Sequence, residues 1–560
     1  MSEHPKILMS QSSPNRRNKF LGFAYYERND RGKWRLNFRW GRITILILSL
    51  TILGWLSCGL GLYIFFKYKR NYEDVSYAKM LILPIVYEQH REDMGNYHIE
   101  RAKELLEEQE WTQALTFLRA GVMRAPDNTE GRLILAEFFL NGYQQPEMAI
   151  ELLKQGFPYG YDDNNYARST IRLMLRQHQD LEILELADEF LPKLGKTDPI
   201  AKVIAIGAAS AAFYRGMYDS ADEYIADYGL RDSPEGMILS SKILGARGQN
   251  LDAIVLLESN VNRFTNRELV FMELIRAHRQ AGNIDKARQY AILRNLNNPL
   301  NPGPRIEMLH AYVYSEQAER LSEEIDNYFQ QFGDEERSLA LLAEFGAKTG
   351  NADLNREIYR RAIENNFDLS IFSYLVIEAE NSAGNFDRAL DLTAQIIEEN
   401  PTWLDERSPI LSALRSVSFY GDGQEAKGSI YLKELLQNPD VRNQTLLALS
   451  SALEDLGRLD EARSILEAAY EQTPENQGAL SALMRLDIEL GRIDDLNDKL
   501  INLLSMRRPP YDLLQLAYES LGSDKFMFTP NRNLVIQQLS EILRERSNST
   551  LQENLTENSS

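Results

Sequence analysis

The sequence contains a single cysteine, Cys58, among 560 residues. One thiol cannot form an intramolecular disulfide, which excludes the class of small secreted domains that disulfides stabilise. Cys58 also lies inside an apolar run, where it cannot serve as a nucleophile. A large domain without cysteine tolerates an oxidising compartment, and the pattern favours a bacterial periplasm.

Recognisable catalytic motifs are also missing. None of the six histidines forms the His-Glu-x-x-His pattern of zinc enzymes, and no glycine-rich phosphate loop or nucleophile elbow occurs. His90 and His98 are eight residues apart, but Gly95 intervenes, and a metal site there is the weaker interpretation. Acidic pairs such as Glu107 and Glu108 are typical of a solvated helix face. We therefore predict no enzyme activity, no metal and no cofactor.

The charge is unevenly distributed. The net charge is −20, while residues 1–70 hold thirteen Lys or Arg against three acidic residues and carry +10, so residues 71–560 carry −30. An acidic domain of this size repels the phosphates of nucleic acids. Nucleic acid is therefore excluded as a partner.

Residues 43–66 form an uncharged apolar run from Ile43 to Phe66. As a helix, 24 residues would extend about 36 Å and cross a hydrocarbon core of about 30 Å. A cleaved signal peptide is the alternative, but its apolar core would be shorter and its polar leader is rarely so long. We interpret the run as a retained transmembrane helix. Ser57 and Gly61 form a small-xxx-small pair within it, which leaves a homodimer possible.

Basic residues flanking this run predict its orientation. Six lie shortly before it, at Arg28, Arg31, Lys33, Arg35, Arg39 and Arg42. Four lie shortly after it, at Lys67, Lys69, Arg70 and Lys79. By the positive-inside rule, the N-terminus should be cytoplasmic and the remainder of the chain outside.

The rest of the chain repeats with a period near 34 residues. In the clearest copy, Gly457 to Pro474, a glycine precedes a helix-like segment that carries Ile465 and Leu466 on one face, with the small residue Ala462 as its marker. The corresponding positions are Ala114, Ala149, Ala187, Ala221, Ala253, Ala287, Leu321, Asn355, Ala389, Ala426, Ala462 and Leu496. The gaps between them range from 32 to 38 residues.

Glycine stands five residues before the marker in eight of the twelve copies, where a tight turn between antiparallel helices is needed. These are Gly216, Gly248, Gly282, Gly350, Gly384, Gly421, Gly457 and Gly491. This period, with its small residue and its glycine, resembles the tetratricopeptide (TPR) repeat, a helix-turn-helix unit. The resemblance implies an all-α solenoid of about twelve repeats, whose first helices line a concave groove for peptides or partner proteins.

The predicted organisation has six parts. They are a basic cytoplasmic leader (1–42), a transmembrane helix (43–66), a juxtamembrane connector (67–94), the TPR-like solenoid (95–508), a C-terminal helical cap (509–546) and a disordered tail (547–560). An apolar patch, Met80 to Val86, should pack against the first helices of the solenoid as a cap.

The resemblance also places the residue eleven before each marker on the concave face. Basic residues hold this position in five copies, at Lys242, Arg276, His310, Arg415 and Arg485, and Glu344 and Glu378 hold it in two others. We hypothesise that Arg276, Arg415 and Arg485 contact an acidic peptide or a C-terminal carboxylate. The competing interpretation, which we weight more heavily, is that each arginine pairs with a glutamate of the adjacent repeat and holds the solenoid together.

The sequence thus predicts a non-catalytic scaffold for protein partners, anchored in a membrane, with its solenoid at the outer, periplasmic face of a bacterial inner membrane. Two alternatives stay open. One is a scaffold that faces the cytoplasm. The other is a component that binds or exports an envelope polysaccharide, for which Phe213, Phe271, Phe372 and Tyr374 would be the candidate aromatic contacts.

Overall fold

The structure is a computed structural model that describes residues 17–19, 22–28, 33–69, 72, 75–399, 408–438, 441–492 and 495–557. These residues include a small sheet and 28 α-helices, which confirms the predicted all-α solenoid. The chain divides into two compact units, Met1–Thr170 and Ile171–Ser560.

A three-stranded antiparallel sheet precedes the apolar helix in the first unit. Its strands are β1 (Arg17–Lys19), β2 (Ala24–Arg28) and β3 (Trp34–Phe38). Ala24 pairs with Phe38, and Tyr26 with Leu36. The sequence analysis assigned no strands to this basic leader, although Trp34, Leu36 and Phe38 alternate with polar residues at the spacing of a β-strand. Residues 1–16 of the leader lie outside the described residues.

Helix α1 (Trp40–Ile64) continues as a π-helical turn, Phe65–Lys69, and encloses the predicted span. It is long and apolar enough to cross a membrane. Gly59 is the one buried residue of α1, because Leu81 of the next helix covers it. A Cβ added at Gly61 would meet no neighbour, so this face is open, and the homodimer stays a prediction.

The remaining helices of the first unit pack in antiparallel pairs. They are α2 (Tyr77–Leu81), α3 (Tyr87–Glu107), α4 (Trp111–Arg124), α5 (Thr129–Glu137), α6 (Pro146–Gly160) and the start of α7 (Asn164–Arg176). The predicted apolar patch does pack on the first repeat, since buried Met80 contacts Met94 and Tyr97 of α3. It also contacts Leu62 and Phe66 of α1.

The second unit continues the array of pairs. Its helices after α7 are α8 (Asp180–Phe190), α9 (Pro199–Tyr214), α10 (Tyr218–Asp227), α11 (Pro234–Ala246), α12 (Asn250–Asn260), α13 (Glu268–Gln280), α14 (Ile284–Asn297), α15 (Pro302–Tyr314), α16 (Ala318–Phe332), α17 (Glu336–Lys348), α18 (Ala352–Glu364), α19 (Leu369–Ser382), α20 (Phe386–Glu399), α21 (Ser408–Gly421), α22 (Glu425–Gln437), α23 (Asn443–Asp455), α24 (Leu459–Gln472), α25 (Gln477–Leu490), α26 (Leu496–Ser505), α27 (Tyr511–Gly522) and α28 (Arg532–Glu557).

A left-handed residue occupies the turn inside each of the twelve pairs from α3–α4 to α25–α26. Eight of these residues are glycines, at Gly216, Gly248, Gly282, Gly350, Gly384, Gly423, Gly457 and Gly491. The other four are Gln109, Gln144, His178 and Glu316. Because a side chain disfavours positive φ, glycine is the usual residue in this turn. Where the turn accepts another residue, the sequence no longer marks its position.

Two predicted register positions are wrong. Gly421 belongs to helix α21, and the left-handed turn residue of that repeat is Gly423, so its marker is the buried Gly428 rather than the exposed Ala426. Two glycines two residues apart made the choice ambiguous. In the repeat of α7 and α8, the turn at His178 moves the marker from Ala187 to Ile183, one helical turn earlier, and both residues are buried.

The clearest copy in the sequence is also tightly packed. Ala462, Ile465, Leu466 and Ala469 of α24 are fully buried, in a core shared with α22, α23 and α25. Small residues at two of these positions let the neighbouring helices approach closely. This core explains why one repeat cannot be stable alone, since its apolar face is covered by the next.

The C-terminal pair, α27 and α28, closes the core at the end of the second unit. Leu513, Leu514 and Ala517 of α27 and Leu539 of α28 are buried against α25 and α26. Helix α28 extends to Glu557, and the disorder of the tail, residues 547–560, stays a prediction. Residues 558–560 lie outside the described residues.

Candidate protein-binding groove

The first helices of three successive repeats form a concave surface in the second unit. A cavity of about 440 Å³ lies between α9, α11 and α13. Apolar surface comes from Phe213, Ile238, Leu269 and Met272, positive charge from Lys242 and Arg276, and negative charge from Glu235 and Glu273, and all eight residues line the cavity. Leu269 and Met272 are both 46% exposed, although they are apolar residues in the middle of the repeat array. We call this surface the α9–α13 groove.

Two of the five predicted groove residues thus meet in one place. Lys242 forms no ion pair or hydrogen bond with any residue that the structure describes. Arg276 binds Glu273 of its own helix, and its guanidinium also donates to Gln280 at 3.0 Å. The side chain of Arg276 is nevertheless 44% exposed, so an incoming anion can still reach it. The pairing lies within one helix rather than between adjacent repeats.

The start of α27 faces these two cations across a second cavity of about 670 Å³. Pro510, Tyr511 and Asp512 line one side of it, opposite Lys242 and Arg276. Asp512 is held by Arg485, whose guanidinium donates to its carboxylate at 2.8 Å. This hydrogen bond lowers the pKa of Asp512. Arg485 therefore pairs with the next helix pair, as the competing interpretation expects, although the partner is an aspartate rather than the expected glutamate.

His310 lies on α15 against aromatic rings rather than free in the groove. Its ring centre is 4.8 Å from that of Phe345, and it stacks on Tyr314 at 6.5 Å. Burial lowers the pKa of His310, which keeps the ring neutral at pH 7. His310 therefore contributes no positive charge to the concave face.

Arg415 does not occupy the predicted concave position. Its guanidinium lies 4.1 Å from the ring centre of Tyr431, on the second helix of its own repeat. The reason is the register of this copy: counted from Gly428, the residue eleven before the marker is Val417. A cation–π contact with Tyr431 accounts for Arg415 without any ligand.

Acidic residues continue the concave row beyond His310. Glu344 and Glu378 lie on α17 and α19, with Lys348 nearby. Loss of hydration raises the pKa of Glu378, Glu344 raises it further, and Lys348 opposes both effects. The row of first helices thus changes sign from positive at Lys242 and Arg276 to negative at Glu344 and Glu378.

The four aromatic residues named for the polysaccharide alternative differ in their exposure. Phe213 lines the groove, whereas Phe271 and Phe372 are buried in the helical core. Tyr374 is half-buried on α19. Because polysaccharide sites rely on exposed aromatic faces, these positions do not favour the polysaccharide alternative.

A contact that the sequence analysis missed closes the second unit on itself. The segment between α26 and α27 returns to α7–α9: Arg507 donates to both carboxylate oxygens of Asp180, at 2.8 and 2.7 Å, and to the carbonyl of Leu175 at 2.6 Å. Asp180 is 2% exposed. Arg215 donates in turn to the carbonyls of Ser505 and Met506, at 2.6 and 2.8 Å. We call these contacts the Arg507 closure.

The closure encloses a larger cavity, of about 960 Å³. Its cationic lining residues are Arg215, Arg247, Arg507 and Arg508. Three of them have acidic or carbonyl partners, since Arg247 binds Asp219 and Asp222. The guanidinium of Arg508 lies 5.2 Å from the ring centre of Tyr218. Arg215 and Arg507 therefore serve the closure, whereas Arg247 and Arg508 contact α10. The sequence around Arg507 reads Arg507-Arg508-Pro509-Pro510 and indicates a loop between two helices. It does not indicate which distant residue Arg507 contacts.

Comparison with known proteins agrees with the fold. Residues 453–495, which include all of α24 and α25, match the model of the tetratricopeptide repeat family. The chain therefore carries tetratricopeptide repeats, and this fold supports a scaffold for protein–protein interactions. No curated protein matches the chain.

Solved structures with similar folds include a tetratricopeptide repeat protein from Parabacteroides merdae ATCC 43184, with 14% identity, 45% of this chain and 97% of that chain covered, and a TM-score of 0.28. Yeast Tom70 has 11% identity, with 83% and 99% covered and a TM-score of 0.29. The Naa15/Naa10 complex bound to HypK-THB has 11% identity, with 88% and 80% covered and a TM-score of 0.26. Likenesses at this level carry no argument about what the chain binds.

Proposed function

We propose that this protein is a non-catalytic scaffold, anchored in a membrane by α1, that binds an extended segment of a partner protein in the α9–α13 groove. The carrying observation is the pair of accessible cations, Lys242 and Arg276, beside exposed Leu269 and Met272 in a domain of net charge near −30. A segment that alternates acidic and apolar residues complements this surface. Anchoring raises the local concentration of bound partners by confining them to the membrane.

The excess of basic residues before α1 supports the orientation that we propose, with the N-terminus in the cytoplasm and the repeats at the outer face of a bacterial inner membrane. Protease added to spheroplasts of cells that express the chain with a tag at each terminus tests it. We expect loss of the C-terminal tag and protection of the N-terminal tag. Protection of both tags until the membrane is opened would instead show a cytoplasm-facing scaffold.

Site-specific photocrosslinking tests the groove. A photoreactive amino acid at Met272 lies inside the groove, whereas one at Val255, which is 62% exposed on the second helix α12, serves as the matched control. We expect adducts at position 272 that are absent at position 255. The double variant Lys242→Glu/Arg276→Glu should abolish these adducts, because it reverses both charges that face the partner.

Melting curves of the single variants separate binding from stability. Lys242 forms no ion pair with any residue that the structure describes, so Lys242→Glu should keep the melting temperature. Arg276→Glu leaves the buried carboxylate of Glu273 without its partner and should lower the melting temperature, so Lys242→Glu is the variant that tests the groove. A variant that keeps its melting temperature and loses its adducts supports the groove. Equal adducts at both positions, or adducts that survive the charge reversal, would contradict it.

A further inference from the structure

Helix α2 packs against the apolar helix instead of leading away from it. The hydroxyl of Tyr77 donates to the carbonyl of Leu56 at 3.0 Å, and Leu81 packs on Gly59. Leu56 precedes Lys67, the first charge after the apolar run, by eleven residues. At 1.5 Å per residue, α2 therefore reaches a level about 16 Å before Lys67 along α1.

The segment that follows α2 exposes large apolar side chains. Ile82 is 47% exposed and Ile85 is 85% exposed. Leu56, Leu60 and Ile64 of α1, the helix on which α2 packs, are exposed as well. Burying such surface is worth about 25 cal/mol per Å², and a contiguous exposed patch marks an interaction site.

Four backbone amides of this segment donate to carbonyls within it. The amides of Met80 and Ile82 donate to Ser76 and Ala78, and those of Ile85 and Val86 both donate to Ile82. Internal pairing of this kind is what a non-spanning segment needs at membrane depth, where no water is available to replace it. The charge on Lys79 is compensated by Asp93 at 2.9 Å.

From these observations we infer that residues 76–87 are a second membrane contact, which we call the juxtamembrane wedge, and that their partner is the lipid of the leaflet beside the C-terminal half of α1. The inference rests on the proposed membrane anchoring by α1. The wedge lies beside the outer part of α1, with Ile82 and Ile85 among the acyl chains and Tyr87 at the headgroup level.

The wedge also fixes how the first repeat meets the membrane. Met80 of the wedge is buried with Tyr72 and Val75, and Met94 and Tyr97 of α3 pack on this cluster. Helix α3 begins at Tyr87, where the wedge ends. The first repeat is therefore docked on the membrane surface rather than tethered to it by a flexible linker.

Fluorescence quenching in the full-length chain tests the inference. Cys58 is the only native cysteine, so Cys58→Ser gives a background for single labelling sites. An environment-sensitive thiol probe is placed by Ile82→Cys or Ile85→Cys, by Leu50→Cys within α1, or by Met123→Cys on the exposed surface of α4. Each protein is reconstituted in phosphatidylcholine vesicles with and without brominated acyl chains.

We expect brominated lipid to quench the probes at positions 82 and 85 at least half as strongly as the probe at position 50, and to leave the probe at position 123 unchanged. Quenching at position 50, with positions 82 and 85 as bright as position 123, would overturn the wedge and leave the anchoring intact. No quenching at position 50 would overturn the anchoring itself, and the wedge with it. Measuring both wedge positions guards against a local effect of one substitution.

Discussion

Removing Arg507 should open the second unit locally between segments that are more than 300 residues apart. Asp180 is 2% exposed, and Arg507 supplies both of its charge-assisted hydrogen bonds. In Arg507→Ala the carboxylate stays buried without its partner, which costs about 3–5 kcal/mol. The bond from Arg507 to the carbonyl of Leu175 is lost as well.

The measurement is hydrogen exchange of peptides that cover residues 175–183 and 505–514. In a repeat array each repeat contacts only its neighbours, so a lost contact increases local opening. We therefore expect faster exchange in these two peptides rather than global unfolding. A cost of about 3–5 kcal/mol corresponds to roughly two to four orders of magnitude in the local opening equilibrium. A peptide that covers residues 336–348, in α17, should exchange as in the unaltered protein.

Arg485→Ala is the matched control, since Arg485 also pairs with an aspartate, but one whose side chain is 65% exposed. A pair of this kind contributes about 0–1 kcal/mol. The double variant Arg507→Ala/Asp180→Ala should recover much of the loss, because it removes the buried charge with its partner. If exchange at residues 175–183 is the same in Arg507→Ala and Arg485→Ala, the closure contributes no stability and our reasoning fails.

Three further predictions concern the turns and the titratable groups. Glu316→Gly should raise the free energy of unfolding by about 1 kcal/mol, because glycine tolerates positive φ, and Gly457→Ala should lower it by about as much. Chemical denaturation measures both changes. If both variants changed the free energy of unfolding in the same direction, the turn argument would be refuted. Burial lowers the pKa of His278 below its ordinary value of 6.5, so His278 binds a proton less readily in the folded chain than in the unfolded chain. The contribution of neutral His278 to stability is therefore complete above about pH 6.5 and falls below that pH. Melting should therefore drop between about pH 7.5 and about pH 5.5, and by less in His278→Gln. Since the pKa of Glu378 is raised, Glu378→Gln should melt at a higher temperature than the unaltered protein at neutral pH, and this advantage should shrink on acidification. An advantage that is the same at low pH would contradict the raised pKa.

Local patterns predicted the repeat architecture because a helix pair repeats the same physical requirements. A small residue must lie where two helices meet, as at Ala462, and a left-handed residue must lie in the turn, as at Gly457. The predicted marker positions were wrong where more than one residue could meet these requirements. Gly421 and Gly423 both offered a turn, and His178 adopts positive φ without being a glycine. Arg415 was then placed on the wrong face, because its position was counted from the slipped marker.

Contacts between distant segments had no local signal. Arg507 and Asp180 are 327 residues apart, and the sequence around either residue does not predict a contact with the other. The same holds for Tyr77 and Leu56, where α2 packs against α1. Composition did identify α1, because a long uncharged run has a meaning that does not depend on the rest of the fold.

The closure and the groove are parts of one arrangement in the second unit. The segment that carries Arg507 leads directly into Pro510, Tyr511 and Asp512, which form the wall opposite Lys242 and Arg276. The buried pair with Asp180 therefore sets the width of the space in which a partner segment would lie. Asp512 is neutralised by Arg485 and adds little repulsion toward an acidic ligand. The positive charge that faces this space is thus concentrated on Lys242 and Arg276, where apolar side chains are also exposed.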